Sequence, residues 1–229
     1  MSMQKAAFFD IDGTLFRSSL LIELVEAFIA EGIFPENARD GYREEYQAWV
    51  HREGPYELYI DAVVDTFLKN IQGVHYGVLA EVGKKVVARV GKKTYRYTRD
   101  LIKDLRDKGY YIVAISQSPK TILDEFCASF GFDKVYGRIY EIGPRDLFTG
   151  VVSEVEFIKD KSLVVERVLE RQELDREGSI GVGDTEGDIP LLESVEMPIC
   201  FNPNMLLYKH AEMKGWPVIV ERKDVVYTI

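Results

Sequence analysis

The chain has 229 residues, of which 46% are hydrophobic and 29% charged, with a formal net charge of -9. That length suits one sizeable domain with an insertion, or two small domains, and the composition is that of an ordinary globular protein. The negative balance argues against a nucleic-acid footprint, because nothing here neutralises a run of phosphates; a small phosphorylated ligand beside a local cation remains compatible.

The segment KAAFFD reads as a short buried strand that stops at Asp10, followed by the turn GTLF. AAFF is too short for a signal peptide and no stretch is long enough to span a bilayer, so a soluble cytoplasmic protein is expected. From about Ser18 to Val90 the pattern is helical. Ser18 or Ser19 caps a first helix carrying Leu20, Leu21, Leu24, Val25, Phe28 and Ile29, and Gly32 ends it. Pro35 opens a second helix, Pro55 a third, and a fourth runs from about Val78 to Val90, which together suggest a separate bundle.

Beyond residue 95 helices and strands alternate. A helix over 97–108 precedes the strand YYIVAIS, and a helix over 119–130 precedes VYGRIYEIG. LFTGVVSEVEFI suggests a hairpin, and a helix over 161–174 leads to the strand SIGVG. After a helix near 187–194, strands at MPICF and PVIVE close the chain. Such alternation predicts an α/β fold, a mostly parallel Rossmann-like sheet with helices on both faces and an inserted α-helical domain. The expected division is a core of residues 1–16 and 95–229 and a helical insert of residues 17–94.

Three predicted strands end in polar residues, namely Asp10, Ser116 and Asp184, and the carboxyl ends of such strands gather where ligands bind. Taken singly, each is better read as a turn or helix cap; their combination changes that reading. Asp10 and Asp12 stand two residues apart and project to one side. Two carboxylates so placed interact by roughly 4 kcal/mol at an effective dielectric of about 20, and a phosphate dianion adds to the repulsion. The site therefore calls for a cation, and Mg²⁺ suits carboxylate and phosphate oxygens. Asp184 and Asp188 add to the acidic environment, Ser116 offers a hydroxyl with N–H groups at a helix start, and Lys161 offers a fixed charge. Lys159 is the alternative to Lys161, which is preferred because it heads the apolar-periodic helix.

DIDGT, Ser116, Lys161 and the Asp184/Asp188 pair, in that order, resemble the haloacid dehalogenase superfamily over the whole chain, and the helical insert resembles its type-one cap. SQSP and FNPNMLLYKHAEMKGWPVI are most similar to the subfamily related to phosphoserine phosphatases. The resemblance implies that Asp10 attacks phosphorus and that Asp12 serves as general acid and then base. It also implies Mg²⁺ held by Asp10, the Asp12 carbonyl, Asp184 and Asp188, and a phosphoryl group bound by Ser116, Lys161, Thr14 and Gln117. The partner expected is a small phosphorylated metabolite. Those phosphatases resemble one another in a glutamate shortly after the first motif, where this chain has Ser19, with Glu23 a turn further on. A dedicated phosphoserine phosphatase is therefore not expected.

Cys127 and Cys200 read as buried small hydrophobes, and His51, His75 and His210 as surface residues rather than ligands. Tyr42, Tyr46, Trp49, Tyr56 and Tyr59 read mostly as bundle core, with one or two facing the site beside Arg39, Arg43 or Arg52. The favoured activity is hydrolysis of a small phosphomonoester. The alternatives are phosphoryl transfer or mutase action on the same aspartyl phosphate, and a catalytically silent binding module. Release of inorganic phosphate separates hydrolysis from transfer. The oligomeric state is left open.

Overall fold

Strand β1 (Lys5–Asp10) is apolar on both sides because both of its faces are covered. In the computed structural model, which describes residues 3–229, Ala7 and Phe9 enter one apolar cluster and Ala6 and Phe8 another. Successive side chains of a strand point to opposite faces, so four small and aromatic residues in a row fill two layers. β2 (Tyr111–Pro119) repeats the device, with Ile112 and Ala114 on one side and Val113 and Ile115 on the other.

The remaining strands are β3 (Lys134–Ile142), β4 (Phe148–Ser153), β5 (Asp175–Gly183), β6 (Met197–Phe201), β7 (Val218–Arg222) and β8 (Val225–Thr228). They form one sheet in the order β4-β3-β2-β1-β5-β6-β7-β8, parallel from β3 to β7 and antiparallel at both edges. This is the expected mostly parallel α/β sheet. β1 sits between β2 and β5, where the strand order reverses, and that reversal opens the crevice used by ligands.

The insert contains α1 (Leu20–Ala30), α2 (Arg43–Val50), α3 (Tyr56–Ile71) and α4 (Tyr76–Val90). Ser19 is the first cap position but its side chain makes no capping bond. The segment expected as a second helix from Pro35 divides into a 3-10 turn over Glu36–Gly41 and then α2, which buries none of its residues fully. The helices of the insert pack on one another, and their apolar cluster is continuous with that of the sheet. Phe28, Phe34 and Phe67 pack with ring centroids 4.8–6.3 Å apart, and Phe67 meets Tyr140 of β3 edge-on at 5.1 Å. Each buried ring contributes roughly 1.5–3 kcal/mol, so one apolar cluster ties insert to sheet.

The other helices are α5 (Arg96–Asp107), α6 (Lys120–Cys127), α7 (Val155–Lys159), α8 (Lys161–Arg171), α9 (Ile189–Glu193) and α10 (Met205–Lys214). β2 runs on through SQSP to Pro119, so α6 starts later than the sequence suggested, and α10 and β8 were not foreseen. Cys127 and Cys200 are buried and unpaired. Among the described residues no helix is long and apolar enough to cross a membrane.

Candidate active site

At the carboxyl ends of β1, β2 and β5 the polar strand-end residues converge. Asp10 ends β1, Asp184 follows β5, Asp188 ends a 3-10 turn over Glu186–Asp188, and Lys161 is the first residue of α8. The Lys161 ammonium donates to Asp10 Oδ1 at 2.6 Å and also to Asp188 Oδ1. Asp188 Oδ2 accepts from the backbone N–H groups of Asp184 (2.9 Å) and Thr185 (3.0 Å), so this one carboxylate fixes the turn that carries Asp184. Lys159, by contrast, is exposed at the end of α7.

Two glycines make this approach possible. Gly13 has φ +88°, and a Cβ there would stand 2.1 Å from Asp184 Oδ2. A Cβ on Gly183 would stand 2.4 Å from that of Asp188. Any larger residue at either place pushes the acidic loops apart.

Asp12 faces a different set of partners. Its Oδ1 accepts from the Leu20 N–H at 2.6 Å, and its Oδ2 accepts from the hydroxyls of Ser116 (2.5 Å) and Ser118 (2.8 Å). Ser118 was missed in the sequence, although the two-residue spacing from Ser116 in a continuing strand puts both on one side. The N–H groups expected at a helix start beside Ser116 are not there. β2 is still extended at that point, and the Ser118 N–H is already given to Ser116 Oγ at 2.9 Å. Thr14, expected at the phosphoryl group, is fully buried and donates instead to Asp184 Oδ1 at 3.0 Å. Gln117 lines the cavity, but its carbonyl oxygen accepts from Arg138 at 2.5 Å.

Burial pushes the Asp10 carboxyl up to about 7, with Asp188 and Asp12 adding to the rise and Lys161 opposing it. Asp184 is raised well above the ordinary range by burial and by the neighbouring charges of Asp10 and Asp188. Asp12 is raised by burial and held back by the Ser116, Leu20 and Ser118 donors. Burial alone would lower the Lys161 pKa, but Asp10 and Asp188 outweigh it and push the pKa up. Four carboxyls, those of Asp10, Asp12, Asp184 and Asp188, thus crowd about the one ammonium of Lys161. Asp10, Asp184 and Asp188 each offer an oxygen within 4.8 Å of the others, and the buried Asp10 Oδ2 has no hydrogen-bond partner. A set of hard oxygen donors with one orphaned atom fits a divalent cation.

The cavity over these groups measures about 400 Å³, the size of a small metabolite. One wall comes from the insert: Ser19, Leu21, and the Tyr56, Glu57, Ile60, Asp61 and Val64 stripe of α3. Of the insert's aromatics only Tyr56 lines the cavity. Burial and the charges of Asp12 and Asp184 raise its phenol, and Trp49 packs edge-on against it at 5.3 Å. The arginines expected to face the site do not. Arg39 pairs with Glu26, Arg43 pairs with Asp40, and the exposed Arg52 does not line the cavity. The arginine that lines it is Arg138, from the middle of β3. Glu23 lies outside the cavity and pairs with Arg89 and Lys93. Of the histidines, His75 caps α4 and His210 lies beside Glu193, away from the site.

A parallel sheet covered on both faces thus carries, at its strand ends, an acidic crevice clamped by a lysine. A family model of haloacid dehalogenase-like hydrolases matches residues 7–193, and the chain belongs to that family. It is 25% identical to the histidinol-phosphatase of Neisseria meningitidis serogroup C (strain 8013), over 95% of this chain and 99% of that protein. It is 21% identical to the phosphoserine phosphatase of Archaeoglobus fulgidus, over 87% of this chain and 53% of that one. In fold it resembles a solved phospho-aspartyl intermediate analogue of phosphoserine phosphatase, with TM-score 0.65 and 19% identity over 97% of this chain and 96% of that one. The likeness to phosphoserine phosphatases reaches subfamily level.

Proposed function

We propose that the protein hydrolyses a small phosphomonoester in two steps through an aspartyl phosphate on Asp10, with Mg²⁺ as its metal. The observation that carries this reading is the buried Asp10 Oδ2, without a hydrogen-bond partner, set among three carboxylates and Lys161 beneath the cavity. Asp10 and Asp184, with Asp188 directly or through water, would hold Mg²⁺, which would supply the positive charge that lets a phosphate dianion approach. The Asp12 carbonyl completes the set that the family resemblance implies.

In the first step Asp10 attacks phosphorus and the ester oxygen leaves. A proton from Asp12 prevents a free alkoxide from forming, the general-acid role that the family resemblance implies. In the second step Asp12, now ionised, takes a proton from water, and the resulting nucleophile releases inorganic phosphate from Asp10. The hydroxyls of Ser116 and Ser118 hold Asp12 in place. Lys161 opposes the burial that raises the Asp10 carboxyl and offers a cation to the transferring group. Tyr56, Ile60 and Val64 of α3 form an apolar part of the cavity wall.

The test is phosphate release from a panel of small phosphomonoesters, with and without Mg²⁺, by the wild type and Asp10→Asn. Mg²⁺-dependent release by the wild type and none by the variant is expected. Steady turnover by metal-loaded Asp10→Asn, with deamidation excluded, refutes the nucleophile.

A further inference from the structure

The cavity carries two cations, and among the described residues only one of them has a carboxylate partner. Lys161 is held by Asp10 and Asp188. Arg138 is half-buried and makes no ion pair, in a chain with an excess of acid and in a cavity that also holds Glu57, Asp61 and Glu186. The register of β3 on β2 sets Arg138 opposite Pro119, just beyond Ser118. Its Nη2 donates to Gln117 Oε1 at 2.5 Å. A guanidinium can only donate, so the Gln117 amide must turn its oxygen to Arg138 and keep both N–H donors free for other partners. Arg138 retains most of its own donors as well. Arg138 also lies beside the Tyr140 hydroxyl, and its remaining donors, with those of the Gln117 amide, are placed at the cavity to take a planar anion. Two of the three rim acids, Glu57 and Glu186, accept from Asn204 Nδ2.

We propose that Arg138, oriented with Gln117, determines specificity by binding a second anionic group on the leaving-group side of the substrate. That group is a carboxylate or a second phosphate. The proposal rests on the phosphomonoester hydrolase reading given above. An alkyl chain would run along Leu21, Ile60 and Val64 between the phosphoryl group at Asp10 and the anion at Arg138.

The experiment compares kcat/KM on four two-carbon esters: phosphoglycolate, ethanediol bisphosphate, ethyl phosphate and phosphoethanolamine. The wild type should favour an anionic member over ethyl phosphate by roughly 10- to 100-fold, the worth of a charge-assisted contact. The two anionic members distinguish carboxylate from phosphate. Arg138→Gln should collapse that preference, and Arg138→Lys, which keeps the charge without the fork, should retain part of it. Similar rates on all four esters, or a preference for phosphoethanolamine, overturn the proposal. So does an Arg138→Gln loss of equal factor on every ester, which places the arginine on the transferring phosphoryl group. Hydrolysis of none of the four, nor of p-nitrophenyl phosphate, by the wild type refutes the hydrolase reading and this proposal with it.

Discussion

Replacing Lys161 with methionine keeps the length of the side chain and removes the charge between Asp10 and Asp188. Lys161 is 4% exposed and its ammonium lies 2.6 Å from Asp10 Oδ1. Unit charges at that separation attract by about 6 kcal/mol at an effective dielectric of about 20. Much of that is offset by the desolvation that both charges suffered on folding, and removing one partner of such a pair costs about 3–5 kcal/mol. The loss here belongs near the top of that range, because two carboxylates lose the same ammonium. Urea denaturation of the metal-free protein at pH 8 measures it. With a slope of about 3 kcal/mol per molar, the midpoint should fall by about 1 M or more. The deficit should shrink at pH 5, where the carboxyls take up protons, and on adding Mg²⁺, which replaces the missing charge. A variant with the wild-type midpoint in metal-free buffer at pH 8 would refute the claim that Lys161 balances this cluster.

Metal-free wild type should lose stability as pH rises from about 4 to about 7. Asp10 is raised from 3.8 to about 7 and Asp184 also upward, so the folded state holds these protons more tightly than the unfolded chain, and the advantage vanishes as pH passes the folded values. Melting temperatures at pH 5 and pH 7.5 in EDTA check this, and a flat or rising profile would contradict it, whereas excess Mg²⁺ should reduce the slope. Asp12→Asn should slow alkyl phosphates more than p-nitrophenyl phosphate, whose leaving group hardly needs a proton; equal losses would remove Asp12 as the acid of the first step. Phosphoserine should not be the best of several phosphomonoesters of its size, since Ser19 lines the cavity and Glu23 is turned to Arg89 and Lys93. A clear lead for phosphoserine in kcat/KM would show that reading of Ser19 to be wrong.

Local sequence determined the elements whose signals are local. The alternating pattern set the central strands, Pro55 set the start of α3, and MPICF marked β6 from end to end. Asp10, Ser116 and Asp184 could be grouped from the sequence because strand ends in a parallel sheet meet at one edge, whereas Lys161, at the start of a helix, joined them through the order of motifs. α10 leaves little trace in the sequence although Asn204 caps it and Gly215 ends it at φ +68°, because only Leu207 and Ala211 are buried and the apolar period is faint. The finer duties were decided by tertiary structure. Thr14 reaches Asp184 across 170 residues, and Ser116 reaches Asp12 across 104. Arg138 stands at the cavity, while Arg39 and Arg43 do not, because of the register of β3 and the way the insert's phenylalanines dock it on the sheet. A residue's type and its place in a strand or helix follow from its neighbours in sequence. The partner its side chain meets is set by packing between distant segments, and no local pattern encodes that.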